Sequence, residues 1–514
     1  MFNYSQINNF EYGCASRGTC SVSPNVGAIK SLMIALLAQI AFCMLKLDDI
    51  EENYALELLE IIANLDTTDD FSEAQILSIF LKQYSNYKQI KDKYLKTSDY
   101  VRLPSNKIIL KDDFTISDLI KSGQKLITKL RKNITTEVKY LREIFLNILK
   151  STCINYLVLS EYKSYPEYTK TIIECFSRAI NRKQSFSSLK NIVIKLAELN
   201  SKIMRETYNN MSDNFGKMSI TKVSSSSEKN KAILVGGDDL IELIKVLENS
   251  KDENIDVYTN GNMLIAHAFE RFKNYPHLKA HFGNSQESMM LDFATFPGSI
   301  LLTKRGVQKM EYFYRGRLFS SDELVPKGIK SADKDYKNLI DSAKLAKGFV
   351  KGQKRPELEV GYDIATFEKK LETIKNDFDA KKYKKLVIVG FGSQTTEEID
   401  FFQSYLKELS NENFIISFSH KIPSKNILHI NVANNYAILS EFLNLIFEKF
   451  KINSEHVEFI LMKCDSNALS QIVSLKSAGA KNIYFSQCPP AVINPSVLEL
   501  FKNTFDVKLL NIAI

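Results

Sequence analysis

The sequence predicts a multidomain α and α/β protein, with an N-terminal helical bundle domain followed by two Rossmann-like α/β domains with mostly parallel sheets. Three observations predict it. At 514 residues the chain exceeds what one hydrophobic core organises. From Val26 to about Asn210 apolar residues recur at helical spacing. Beyond that point short apolar runs alternate with amphipathic stretches, the pattern of strands and crossover helices.

In the helical part, Tyr54, Leu56, Leu58, Leu59, Ile61, Ile62 and Leu65 carry the 3.6-residue period. The stretches Leu126 to Tyr162 and Phe186 to Met204 continue it with few Gly or Pro breakers, as expected of antiparallel helices packed as bundles. The longest apolar run, Leu32 to Leu45, is interrupted by Gln39 and is shorter than a bilayer requires, which points to a buried helix. The serine-rich run from Val223 to Asn230 reads as a linker. It divides a helical domain, residues 1–222, from a middle α/β domain, residues 231–350, with a C-terminal α/β domain at 351–514.

In the middle domain the strand runs are Ala232 to Val235, Ile255 to Tyr258 and Ser299 to Thr303, interleaved with amphipathic stretches Leu240 to Leu247 and Met263 to Phe272. In the last domain the strand runs are Leu386 to Val389, Phe414 to Phe418, Ile427 to Ile430, Val457 to Met462, Asn482 to Phe485 and Val507 to Leu510. Helical stretches such as Tyr436 to Phe450 and Asn467 to Ser477 separate them, and a doubly wound sheet is the economical arrangement.

Composition narrows the function classes. The chain is 44% hydrophobic and 25% charged, an ordinary globular balance, and its net charge of +8 comes from 68 basic and 60 acidic residues interspersed throughout. The densest basic run, Lys381-Lys382-Tyr383-Lys384-Lys385, offers few phosphate contacts and reads as a solvated strand entrance, so no nucleic-acid partner is expected. No basic stretch followed by an apolar core and a small-residue cleavage site opens the sequence, so neither secretion nor a membrane span is expected. The seven cysteines, Cys14, Cys20, Cys43, Cys153, Cys175, Cys464 and Cys488, are odd in number and scattered, which fits a reducing, cytoplasmic compartment.

Two glycine turns follow strands and open helices: Gly236-Gly237-Asp238-Asp239 and Gly390-Phe391-Gly392-Ser393. Neither completes a dinucleotide fingerprint. The first places two carboxylates where a phosphate needs positive potential, and the second has Thr395 at the third glycine position, where Thr395 with Glu398 fits a capping box. Both read as tight strand-to-helix connections. His267, His277 and His281 lie close in sequence without a carboxylate or cysteine at ligand spacing, and read as helix-surface and loop histidines. Cys14 and Cys20 amount to half the ligands of a cluster or zinc site, but nothing nearby completes the set, and on spacing alone they read as two unlinked thiols.

Several segments, taken in order, resemble the hybrid-cluster protein family, the prismanes or hydroxylamine reductases. Val257-Tyr258-Thr259-Asn260-Gly261-Asn262-Met263-Leu264-Ile265-Ala266-His267 resembles the signature Thr-His-Gly-Glu-Met-Leu-Pro-Ala-His. Phe296-Pro297-Gly298-Ser299-Ile300, the segment Tyr314 to Phe319, Gly479-Ala480-Lys481-Asn482-Ile483, Pro489-Pro490-Ala491 and Asn494-Pro495-Ser496-Val497-Leu498 resemble later family motifs. Gly13-Cys14 with Gly18-Thr19-Cys20 resembles the second half of the N-terminal cysteine motif.

The resemblance implies the helical-plus-two-α/β architecture, an N-terminal iron–sulfur cluster on four cysteines, and a hybrid iron–sulfur–oxygen cluster held by one histidine, two glutamates and four cysteines. It implies reduction of hydroxylamine or nitric oxide. Residue by residue, the first two N-terminal cysteines fall near Asn3 and Gln6, the last two on Cys14 and Cys20. The histidine falls on Asp238 and the first glutamate on Asn262. The cysteines fall on Gly306, Gly392, Ser419 and Ala433, the final glutamate on Asp465, and a nearby lysine on Asn467. Glycine and alanine offer no donor, and carboxylates or amides do not replace thiolates on iron. The expectation is therefore a degenerate, non-redox member without cofactor, in a binding or scaffolding role toward a small molecule, a protein or a second copy. A reductase with a rearranged iron–sulfur site borrowing Cys464 or Cys488 is the first alternative. An oxygen-ligated metal or small-molecule site formed by Asp238, Asp465, Asn262 and Ser419 is the second.

Overall fold

The computed structural model describes residues 24–48, 50–64, 73–97, 110, 113–180, 184–283, 289–304, 314, 316–322, 325, 328–390, 396–418, 424–451, 453–461, 465–485 and 495–510. The chain forms two compact units. One comprises Met1–Ile203, Cys464–Ser477 and Cys488–Val507; the other comprises Met204–Lys463, Ala478–Gln487 and Lys508–Ile514.

The first unit is helical. Its N-terminal elements are α1 (Pro24–Leu47), α2 (Glu52–Asn64), α3 (Glu73–Leu95), α4 (Ile116–Asn133), α5 (Thr136–Ser160), α6 (Pro166–Ile180) and the first part of α7 (Phe186–Phe215). The window Gly27–Leu47 of α1 is long and apolar enough to cross a membrane by length and composition, and 89% of it is buried in the protein. A helix apolar on every face belongs in a core, and α1 packs against α3, α4 and α6. The periodic stretch Leu126 to Tyr162 runs over two helices. Ile134 turns extended at the end of α4, and Thr135 caps α5 by accepting the Val138 N–H. A capping box between Thr115 and Asp118 starts α4.

One face of α5 is polar yet buried or half-buried. Asn147, Ser151 and Asn155 repeat at every fourth residue and so share a stripe. Asn155 Nδ2 donates to Asn200 Oδ1 and to Asn467 Oδ1, each at 2.8 Å, and Asn200 Nδ2 donates to Ser470 Oγ at 2.8 Å. Ser466 Oγ donates to Asn147 Oδ1 at 3.3 Å. These bonds tie α5 and α7 to a helix from the end of the chain.

The second unit contains two parallel sheets of the same topology. After β1 (Thr221–Val223) come β2 (Lys231–Gly236), α8 (Leu240–Ser250), β3 (Ile255–Thr259), β4 (Leu278–His281), α9 (Met289–Thr295), β5 (Ser299–Leu302), β6 (Leu318–Ser320), β7 (Lys330–Ser331) and α10 (Lys337–Leu345). After β8 (Leu358–Val360) and α11 (Ile364–Asp379) come β9 (Leu386–Val389), α12 (Thr396–Leu409), β10 (Phe414–Ser417), β11 (Ile427–His429), α13 (Tyr436–Lys449), β12 (Val457–Leu461), α14 (Ser466–Ser477), β13 (Asn482–Phe485), α15 (Pro495–Phe505) and β14 (Lys508–Leu509), with α14 and α15 belonging to the helical unit.

The strand orders are β4-β3-β2-β5-β6-β7 and β11-β10-β9-β12-β13-β14, parallel throughout. Each sheet starts in its middle, winds outward one way and then the other. This is the Rossmann-like, doubly wound order, with switch points between β2 and β5 and between β9 and β12. Central strands read as continuous apolar runs because both faces are covered: every residue of β3, β5, β9 and β12 is buried. An aromatic cluster of Tyr258, Phe282, Phe296 and Phe349 fills one face of the middle sheet.

The amphipathic stretch Met263 to Phe272 forms two 3-10 turns, Gly261–Ala268 and Glu270–Asn274, not an α-helix. Gly261 enters at φ 57 and Phe269 is extended between the turns, so no continuous α ladder can form. The serine-rich run is also more ordered than a linker. β1 pairs antiparallel with β8, Ser227 and Gln353 exchange both backbone bonds at 3.0 Å, and Phe349 N–H donates to Asn230 C=O at 2.8 Å.

Candidate functional site

The C-terminal edge of the middle sheet carries the positions singled out by the signature. β2 ends in Gly236-Gly237, with Gly237 at φ 109; a Cβ there would lie 2.1 Å from Thr303 Oγ1. Asp239 then caps α8: its Oδ1 accepts the Glu242 N–H at 3.0 Å and its C=O accepts the Leu243 N–H at 3.2 Å. With the helix N-terminus satisfied by an internal carboxylate, this turn is a strand-to-helix connection.

Asp238 is exposed, one residue before that cap. Asn262, in the 3-10 turn after β3, donates from Nδ2 to Asp238 Oδ1 at 2.7 Å. The structure therefore brings together the two residues standing at the histidine and first-glutamate positions, and joins them to each other.

The remaining positions are described individually. Ala433 sits at φ 50, with its N–H donated to Asn431 Oδ1 at 2.9 Å; its methyl group offers no donor atom. It leads into Asn435, which caps α13. In the helical unit, Asp465 caps α14, its Oδ1 accepting the Ala468 N–H at 2.9 Å. Asn467, at the lysine position, takes its place in the Asn155 amide network. Gly306, Gly392, Ser419, Cys14, Cys20, Cys464 and Cys488, together with Thr395 of the second glycine turn, lie outside the described residues.

The donor set can be compared with what a soft iron–sulfur cluster requires. At the described positions it consists of carboxylates, an amide and a methyl group, with no thiolate among them, and this does not fit such a cluster. The described cysteines do not supply the deficit. Cys43, Cys153 and Cys175 are buried inside helices, and burial pushes the Cys175 thiol up to about 11, Cys43 up to about 12 and Cys153 higher still. All three stay protonated at neutral pH.

Behind Asn262 lies a second polar group. Thr259 Oγ1 is 2.9 Å from His267 Nε2 and 2.9 Å from His281 Nδ1. One hydroxyl proton serves one ring, so Thr259 donates to one imidazole and accepts from the other. His281 Nε2 has no partner among the described residues. The less costly tautomer puts the proton on His281 Nδ1, leaving a bare lone pair inside rather than a stranded N–H. Burial lowers His267 to about 4 and, with the His267 charge adding to it, His281 to about 3. His281 is thus a core residue of β4, 1% exposed, rather than a loop histidine, and His277 bonds Leu247 C=O and Ser250 Oγ. Thr259 lies inside the signature itself, but its partners His267 and His281 follow it at a spacing that carries no signal of the contact.

A family model for prismane and CO dehydrogenase proteins matches residues 8–430. The chain belongs to the prismane/CO dehydrogenase family. Among curated relatives, a hydroxylamine reductase of Zymomonas mobilis is 24% identical over 96% of this chain and 94% of its own length. One of Petrotoga mobilis is 22% identical over 96% and 97%. Among solved structures, an acetyl-CoA synthase/carbon monoxide dehydrogenase described with NiZn[Fe4S4] and NiNi[Fe4S4] clusters aligns with a TM-score of 0.48 at 11% identity, covering 97% of this chain and 82% of that one. In this prismane-family chain, family membership and the helical-plus-α/β fold stand together.

Proposed function

We propose that this chain is a degenerate, non-redox member of the prismane family that has exchanged hydroxylamine chemistry for a binding or scaffolding role. The observation that carries the reading is the Asn262–Asp238 hydrogen bond. The lone pair of an amide NH2 nitrogen is delocalised into its carbonyl and is not offered to a metal, and here that nitrogen donates to the neighbouring carboxylate. Asp465 and Asn467 support the reading from the helical unit: one caps a helix and the other completes a network of amides. Substituted ligand positions have become ordinary structural positions.

The relatives' name supplies the competing activity, hydroxylamine reduction on iron. Anaerobic purification followed by iron and sulfide analysis separates the two. The expected result is colourless protein without stoichiometric iron and no hydroxylamine-dependent oxidation of a reduced dye. Several irons per chain together with that oxidation overturn the proposal. Iron that disappears in Cys14→Ala and Cys20→Ala, without hydroxylamine turnover, would assign a residual N-terminal site and leave the non-redox reading of the sheet edge standing.

A further inference from the structure

The edge of the middle sheet holds one more group, which neither the signature nor the proposed function uses. Glu242, in the first turn of α8, is 3% exposed. Its carboxylate collects donors from three separate stretches of chain. Oε2 accepts the backbone N–H of Lys304, just beyond β5, at 2.9 Å. Oε1 accepts the hydroxyl of Ser321, just beyond β6, and that of Tyr336 at 3.3 Å. Tyr336 heads α10 in the left-handed region, φ 56, a conformation that a bulky residue holds only when its surroundings impose it.

A carboxylate and a carboxylic acid cannot make the same bonds in this pocket. Ionised, Glu242 is acceptor-only and serves all three donors. Protonated, its own O–H must be donated, and among the described partners only the two hydroxyls can turn to receive it. Oε1 then no longer accepts from both. The Tyr336 bond, already long at 3.3 Å, loses the charge assistance of the carboxylate when Oε1 is neutralised, so Tyr336 is the partner released.

Titratable and charged groups surround the site from each packed element. Asp239 stands at the cap of α8, Tyr336 at the head of α10, Lys304 after β5, and Asp322 after β6, where it accepts from Ser320 Oγ at 3.0 Å. Burial is the largest influence and pushes the Glu242 carboxyl up to about 7, Asp239 adding to it and the three donors opposing it.

We propose that Glu242 is a pH-responsive tie whose proton decides whether the head of α10 is fastened to the C-terminal edge of the middle sheet. Ionised, it holds Tyr336; protonated, it lets Tyr336 go. No metal or cofactor takes part, so the tie stands independently of the function proposed above.

Hydrogen exchange of the full chain, followed by mass spectrometry at about pH 5.5 and about pH 8 and corrected for intrinsic rates, tests it. Relative to peptides of β2 and β3, which report the global stability, peptides spanning Tyr336 to Leu345 are expected to gain roughly five- to tenfold protection at the higher pH, the scale of one net hydrogen bond. In Glu242→Gln and in Tyr336→Phe that step disappears. A wild-type protein with no step, or a Glu242→Gln protein with the same step, overturns the proposal. Should Glu242→Gln fail to fold, Ser321→Ala decides: losing a donor to the ionised form must move the midpoint of the step upward, and an unmoved midpoint overturns the tie.

Discussion

In the helical unit, Asn147, Ser151, Asn155, Asn200, Asn467 and Ser470 satisfy their polar groups with amides and hydroxyls. At the edge of the middle sheet, His267, His281 and Glu242 are enclosed just as the amides are, but each of these can change charge. A satisfied amide seam fixes how helices pack and is indifferent to pH, whereas enclosed titratable groups make stability a function of proton concentration. The same degree of burial therefore has different consequences in the two places.

The largest expected effect comes from His281. Its folded pKa lies near 3 against an ordinary value of 6.5, so the stability tied to its neutral form is complete above pH 6.5 and drains away as pH falls toward 3. The loss amounts to about 3 kcal/mol by pH 4. Urea unfolding across that range should show His281→Leu with a flatter pH dependence than wild type, and parallel curves would refute it.

Glu242 should act in the opposite direction. Its folded pKa is raised from 4.5 to about 7, so stability falls as pH rises between those values and is level beyond them. The fall is on the order of 2–3 kcal/mol. In Glu242→Gln the slope over that window should vanish.

Asn200→Ala strips partners from Asn155 and Ser470 and should cost about 2 kcal/mol at every pH. Asn200→Asp is the sharper test, because it places a titratable group in the amide seam. If the comparison is right, that variant alone in the helical unit acquires a neutral-to-acid slope in thermal unfolding. The smallest effect belongs to the Asn262–Asp238 pair. It is exposed, so Asn262→Ala should change stability by less than about 0.5 kcal/mol; a large loss would mean the pair is a structural keystone rather than a surface contact.

Much of this was legible in the sequence. The apolar runs at 232–235, 255–258 and 386–389 each became a strand, because a parallel sheet covered on both faces demands continuous apolar segments. Short strands such as β6 and the edge strand β7, three and two residues long, carry too little pattern to announce themselves. The contact between Asn262 and Asp238 followed from register, since both stand at the C-terminal ends of adjacent parallel strands. The roles of Thr259, Glu242 and Tyr336 did not. A hydroxyl between two imidazoles, or a carboxylate between three loops, arises from contacts distant in sequence. The pattern Asp239 to Glu242 signalled only a helix start. Likewise nothing in the strand–helix alternation indicates that Ser466, Asn467 and Ser470 of α14 meet the polar stripe of α5.

The antiparallel ribbon of β1 with β8, extended by the Ser227–Gln353 exchange and closed by Asn230 with Phe349, has an evolutionary meaning. The chain enters and leaves the middle sheet through two backbones zipped side by side. A module held on such a stem has neighbouring ends, the condition under which a segment can be inserted, replaced or lost while the rest of the chain keeps its continuity. The middle sheet is built as a cassette, whose contents are free to change without redesigning anything on the far side of the stem.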